Sequence, residues 1–439
     1  MPTETSLAGQ EAVKGEDMWK LAFKSSLIAC LGIVLYLPLS HAEDISQAVA
    51  IRGRWVWDGS GRPAIPKGVI LVRDGRIIAV GKKEELAIPP DATWLDESEL
   101  FLMPGLVNSH EHFSLDQFAG TDEPGLMDFP ASYLALRAAH NGRTSLRSGV
   151  TTARVPGDKD FLDIQYKRAF DEDMLPGPRL VVAARFLRPP DGFPNFSGLG
   201  PAPSGEDELR RTIREDIRAG ADFCKMFISG TGVPVRGEYT VVDAIYFTKK
   251  EIETIVDECH GHGKKVTAHV IKGGPSFDTA VEMGVDSFEH GVLLTREEIQ
   301  KVKDHNIVLV VGMSQWFLPE GGYPGEPPPP NGEQILQKWY STVLSVKPKL
   351  AVGVDGFHEA GAMAKEVALL VRYGFTNEEA LLIATRNGGE LSGLPVGTLE
   401  PGKYADIIGV QGNPSEDINS LQRVEFVMKG GKVYNLSEE

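Results

Sequence analysis

Between residues 104 and 396 the chain alternates short apolar, β-branched runs with longer amphipathic stretches. The runs are GLVNSH (105–110), VTTARV (150–155), RLVVAARFL (179–187), ADFCKMFI (221–228), KVTAHV (265–270), SFEHGV (287–292), NIVLVVGM (306–313) and KLAVGVD (349–355). Their lengths and residue types predict strands. Segments between them, such as KKEIETIVDECHGHG and TNEEALLIATRNGGEL, repeat apolar residues at helical spacing and predict helices. Eight strand–helix units predict an α/β fold, a (β/α)8 TIM barrel. A doubly wound sheet is the alternative. The unit count and the lack of a Gly-rich phosphate loop favour the barrel.

The chain ends read differently. Residues 43–103 contain short β-rich runs broken by Asp58-Gly59 and Asp74-Gly75, both hairpin signals. Residues 397–439 repeat that style in GTLEPGKYADIIGVQGNP and VEFVMKGGKVYNL. The two ends are expected to form one small β-sandwich domain, 43–103 with 397–439, beside a barrel spanning 104–396. Residues 1–42 are assigned to a leader. Lys20 and Lys24 precede an apolar stretch from Leu27 to Leu39, and Ser40-His41-Ala42 fits a signal peptidase site. Glu4, Glu11, Glu16 and Asp17 are wrong for such a leader, so translation is expected to start at Met18. LIAC (27–30) is not a lipoprotein box, because the apolar region follows Cys30. The stretch is too short for a comfortable span. The protein is therefore expected to be exported, periplasmic or secreted, without a stable membrane anchor.

Composition narrows the partners. A net charge of −16 with a pI near 5.2 argues against nucleic acid, which needs a basic face. The expected partner is a small-molecule substrate, and assembly into a homo-oligomer stays open. Cys224 and Cys259 make no disulfide framework and are expected as buried apolar residues.

Candidate chemistry gathers at the ends of the runs. His110 and His112 end the first strand, and residues two apart on a strand share a face. Lys225 lies in the fourth strand, His269 in the fifth and His290 in the sixth, while Asp355 ends the eighth. Barrel active sites are built from the C-terminal ends of several strands. Imidazole and carboxylate suit zinc and other divalent ions such as manganese. A free ammonium cannot ligate a metal. Lys225 becomes a ligand if its neutral amine reacts with carbon dioxide to give a carbamate, and burial favours the neutral amine. The cofactors expected are two divalent ions, zinc above others, and that CO2-derived carbamate. Two long Pro/Gly-rich loops, after the third and seventh strands, are expected to act as lids or binding loops.

These segments resemble the metal-dependent amidohydrolase superfamily. LMPGLVNSHEHF, CKMFISG, VTAHV, DSFEHGV, AVGVD and EEALLIATRNGGELSGLPVGTLEPGKYADIIGV carry the resemblance, which runs from residue 49 to 434. Within the superfamily the chain is most similar to the prolidase-like and imidazolonepropionase-related group, whose members cleave Xaa-Pro or Xaa-basic dipeptides and related amides. The resemblance implies that His110, His112 and Asp355 bind one ion, that His269 and His290 bind the other, and that Lys225 bridges them. It implies that a hydroxide held between the ions attacks a carbonyl, that Asp355 passes the proton to the leaving nitrogen, and that the second ion, held by His290 and His269, polarises the carbonyl. One departure stands out. Peptidases of this group carry Gly-Gly-His after the third strand, where this chain reads ARFLRPPDGFPNFSG. That puts dipeptidase activity in doubt and leaves the metal chemistry untouched.

Other readings use the same residues. The same metal site would serve a cyclic amide, an imide, a lactone or another ester. A non-catalytic binding paralogue would be expected to have lost ligands, and all six are present. Glu289 is expected to face away from His290 and receives no role. Arg154 is read as a structural barrel arginine ahead of a substrate contact. His140 is read as structural, and His260, His262 and His305 as surface residues. His358 stays open as a substrate contact, as do Trp316, Phe317 and Tyr323 between lining the pocket and packing the loop. PPPP (327–330) is read as part of a rigid lid.

Overall fold

The computed structural model describes residues 47–115, 129–190, 202–230, 232–235, 238–241, 247–312, 314–318, 329, 331–356 and 359–436, with the backbone alone at 232–235, 238–241 and Trp316. The leader, Tyr323, His358, the Trp316 side chain and most of the two long loops lie outside the described residues.

Eight parallel barrel strands are present, each short and almost wholly buried. They are Leu106–Asn108, Val150–Val155, Arg179–Val182, Phe223–Phe227, Lys265–Val270, Ser287–His290, Val308–Val311 and Leu350–Val352. Strands covered on both faces are built from continuous β-branched and aromatic runs, as here. Helices follow them. Those starting at Lys249, Arg296 and Asn377 open on capping boxes, Thr248/Glu251, Thr295/Glu298 and Thr376/Glu379. The helix Glu206–Ala219 buries Leu209, Ile213 and Asp216 along one stripe.

The fold is α/β and TIM-barrel-like, but the ladder is not one closed ring. Strands one to three form one sheet, and strands four to eight form another, joined at its edge by Phe186–Leu187. Two seams separate them. At the first, Ala184 adopts φ 66°, which interrupts the run expected to continue to residue 187. Asp222 spans the gap, its N–H donating to the Val182 carbonyl at 2.7 Å and its carboxylate accepting from the Val182 N–H at 3.0 Å. At the second, Ser109 N–H donates to the Val352 carbonyl at 2.8 Å. Gly353 permits this approach, since a Cβ there would lie 2.5 Å from the His110 nitrogen.

Both chain ends, expected as one small β-sandwich domain, pair in a single eight-stranded sheet. Thr93–Pro104 runs through its centre, parallel to Val49–Val56 and antiparallel to Ile407–Val410. Asp74-Gly75 is a tight hairpin with φ of 50° and 71°, as its type requires. Asp58-Gly59 instead opens a longer loop, in which the Asp58 carboxylate accepts from Ser60 N–H at 2.9 Å. Thr93–Pro104 leads through Gly105 directly into the first barrel strand.

The cysteine expectation needs correction. Cys224 and Cys259 are buried, as expected, but they are bonded to each other as a disulfide. Cys224 lies on the fourth strand and Cys259 on the following helix, Lys249–Gly261. That helix packs on the strand and brings the two Cα atoms to 6.5 Å, within disulfide reach. No described helix is long and apolar enough to cross a membrane.

Candidate metal centre

His110, His112, Lys225, His269 and His290 are all buried, and Asp355 has 13% of its side chain exposed. The rings of His112, His110, His290 and His269 follow one another at centroid separations of 5.1, 4.9 and 4.8 Å. The His110, His290 and Asp355 donor atoms lie within 4.8 Å of one another.

Two strand ends are locked together to achieve this. The Asn108 side-chain oxygen accepts from the backbone of His110 and of Val354, at 3.3 and 3.2 Å. Its amide donates to Glu111 at 2.7 Å. The other Glu111 oxygen accepts from His112 N–H at 2.8 Å and Gly356 N–H at 3.1 Å. The loop carrying the histidines is thus stapled to the loop carrying Asp355. Burial pushes the Glu111 carboxyl up to about 8. Neither Asn108 nor Glu111 stood out in the sequence, because both roles depend on a loop more than two hundred residues away.

The innermost triangle fits an ion. His110 Nε2 lies 3.2 Å from His112 Nε2 and 3.1 Å from Asp355 Oδ1, and His112 Nε2 lies 3.7 Å from Asp355 Oδ1. A four-coordinate zinc with bonds near 2.0–2.1 Å sets neighbouring ligand atoms about 3.3 Å apart. The other ring nitrogens are tied back. His112 Nδ1 sits 2.9 Å from the Gly157 carbonyl, and His110 Nδ1 sits 2.8 Å from Glu289. Both Nε2 atoms therefore turn to the triangle. His290 Nε2 is 4.0 Å from Asp355, and its buried Nδ1 has no hydrogen-bond partner among the described residues. His269 stacks on Phe227 at 4.6 Å.

Electrostatics agree with a cation site. Burial, with Asp355 and Glu289 pulling the other way and winning, leaves the His110 pKa above its ordinary value. Burial and the neighbouring His110 hold His112 down to about 3, and burial takes His290 to about 3. Burial opposes ionisation of Asp355, but His110, His290 and His112 hold it well below the usual carboxylate range. The pull that raises His110 would equally bind a metal cation between it and Asp355. Burial lowers the Lys225 ammonium to about 8, against Glu289 and Asp355.

Glu289 corrects the sequence reading. It was expected to face away from His290, yet it is fully buried and bonded to His110. His290 adopts φ 72°, which breaks the strand's alternation so that consecutive residues both point inward. Arg154 is structural, as read. It is buried, donates to the Ser109 carbonyl at 2.9 Å and lies over the Phe223 ring. Phe317 packs into the core. His260 and His262 are surface residues paired with Asp286 and Glu258. His140 and His305 are exposed.

The sequence model of the amidohydrolase family matches residues 101–434. Ochratoxinase of Aspergillus niger is 29% identical over 427 residues, covering 86% of this chain and 84% of the relative. Imidazolonepropionase of Symbiobacterium thermophilum is 26% identical over 383 residues, covering 78% of this chain and 84% of the relative. Among solved structures, a Xaa-Pro dipeptidase with methionine in its active site superposes with a TM-score of 0.78 at 24% identity, over 88% of this chain and 100% of that one.

Proposed function

Because the chain belongs to the amidohydrolase family and is a hydrolase acting on carbon–nitrogen bonds, we propose that it cleaves an amide or dipeptide-like bond at a two-ion centre. His110, His112 and Asp355 would hold one ion, His269 and His290 the other, and a carbamate on Lys225 would bridge them. Zinc suits this donor set. The observation that carries the reading is the triangle of His110, His112 and Asp355 donor atoms at zinc-like spacing. When bound, the ions would make water nucleophilic near neutral pH and polarise the carbonyl.

The chain's own groups do the rest. Asp355 is held ionised, so it can take a proton from the attacking water and give it to the departing nitrogen. Water oxygen bonds to the carbonyl carbon, the C–N bond breaks, and the amine leaves protonated. Lys225 is buried on the fourth strand, where an amine has little solvent to keep it charged. Its amine nitrogen would bond to the carbon of carbon dioxide and release one proton. Asn108 and Glu111 keep the two ligand loops in register.

Export is part of the proposal. The Cys224–Cys259 disulfide is of a kind that persists in oxidising compartments, which supports the leader reading. The ochratoxinase and dipeptidase likenesses support an amide of a small molecule or a dipeptide as substrate. Cyclic amides and esters are the second class to test, given the missing Gly-Gly-His segment.

The test combines metal analysis with a Lys225 series. The isolated chain is expected to carry two divalent ions and to cleave members of a dipeptide and amide panel. Lys225→Ala should lose bridged metal and most activity, and short carboxylic acids should restore part of both. An active Lys225→Arg variant with full metal content would end the carbamate assignment.

A further inference from the structure

Glu289 joins four barrel strands. Its Oε2 lies 2.8 Å from His110 Nδ1, on the first strand's end. Its Oε1 accepts from Thr267 Oγ1 on the fifth strand at 2.5 Å and from Arg154 Nη1 on the second at 3.3 Å. Arg154 reaches back to the Ser109 carbonyl. The carboxylate therefore ties the three-stranded sheet to the other sheet across the barrel interior. Burial opposes its charge, but His110 and Arg154 overcome this and hold Glu289 far below the usual carboxylate range.

A buried Arg–Glu pair can be scaffolding alone. Two details point further. The partner is the ring nitrogen of a proposed ligand, and the same ring's other nitrogen faces Asp355 and His112. A carboxylate on Nδ1 fixes the ring's orientation and makes Nε2 a better donor. The second detail is adjacency. Glu289 and His290 are consecutive; Glu289 faces inward in register with His269, and the φ of 72° at His290 turns that residue inward as well. One short stretch of backbone thus orients a ligand of one ion and supplies a ligand of the other.

We propose that Glu289 is a positioning residue that couples the two ion positions, so that filling either one prepares the other. The inference rests on the two-ion reading of the centre. An ion on His110 draws the imidazole and, through Glu289, fixes the sixth strand's end where His290 is presented. Arg154 and Thr267 keep the Glu289 carboxylate from rotating away.

The test is titration of metal-free protein with cobalt(II) in bicarbonate buffer, following visible absorption and the cobalt retained after dialysis. The wild type should take up two ions in one cooperative step. Glu289→Gln should take them up in two separate steps, with retention weakened about 10–100-fold and an altered absorption band. Thr267→Val, which removes one hydroxyl partner of the carboxylate, should shift uptake the same way by less; it carries the test if the Gln variant does not fold. A scaffolding role would lower the melting temperature and leave uptake per folded molecule unchanged, and that result overturns the proposal. A wild type that binds two ions independently overturns it too, while leaving the two-ion reading intact. A wild type that takes up no cobalt removes both.

Discussion

Two sets of buried carboxyl groups lie around the barrel mouth, and burial has opposite outcomes in them. Asp355 and Glu289 are held well below the usual range, because histidines and Arg154 outweigh the penalty of burial. Burial pushes Glu111 and Asp158 up, to about 8 and about 6: the nearby Asp355 adds to the rise at Glu111 and His110 opposes it, but in both groups burial outweighs the neutral donors. For Asp158 these are Ser114 Oγ, the Lys159 N–H and Tyr166 Oη, at 2.5, 2.7 and 3.1 Å. The lesson is that burial alone does not set a carboxyl's charge. Partner charge decides between an anion suited to metal and proton transfer and a neutral clasp that shapes a loop.

The comparison breaks most visibly if charge is removed from each set by the same isosteric change. Asp355→Asn should lower kcat by about 10^2–10^4-fold, the usual contribution of a proton-transferring group. Steady-state kinetics on the best panel substrate measure this, and a loss under tenfold would remove Asp355 from that role.

Asp158→Asn should act on stability instead. Folding raises the Asp158 pKa from its ordinary 3.8 to about 6, so the folded chain holds the proton more tightly. The stability this provides is fully present below pH 3.8 and is lost as pH rises through 6. The difference amounts to about 3 kcal/mol at most. Urea midpoints between pH 4 and 7, on metal-free protein, should fall with rising pH in the wild type and fall less in the variant. Equal slopes would show that Asp158 is ionised in the folded state.

The smallest effect concerns a charge pair outside the interior. His260 faces Asp286 at 3.0 Å, with their side chains 40% and 30% exposed. His260→Ala should change stability by no more than about 0.5 kcal/mol, because water screens such pairs. A thermal melt shift of many degrees would mean that exposure is a poor guide here.

Particular residues show what was legible in the sequence. Val150–Val155 forms the strand that its β-branched run predicts, bounded by Gly149 and Pro156. The third strand stops at Val182 because Ala184 adopts a left-handed conformation, which alanine rarely takes and no local pattern announces. Five of the six candidate ligands could be picked out because each sits at or near a strand's end, while Lys225, in the middle of Phe223–Phe227, stood out as a charged residue within an apolar run. Glu289 was missed because His290 was read as the inward residue; alternation in fact carries Glu289 inward with Ser287, and only the φ of 72° at His290 brings that histidine in beside it. The disulfide was hidden for another reason. Cys224 and Cys259 are 35 residues apart, and their meeting depends on how a helix lies on its strand.

That bond has a consequence for the chain when it is not folded. A covalent ring closed over 35 residues removes conformations from the unfolded ensemble, by about 4 kcal/mol in a chain-entropy account. The ring contains Lys225 and lies between the strand that presents it and the next helix. A chain made in a reducing cell and one made in an oxidising cell would fold to the same contacts, yet the first would unfold at a lower temperature. The disulfide acts through disordered states that it forbids, so its effect would show in refolding yield and melting curves and leave the arrangement of the six candidate ligands unchanged.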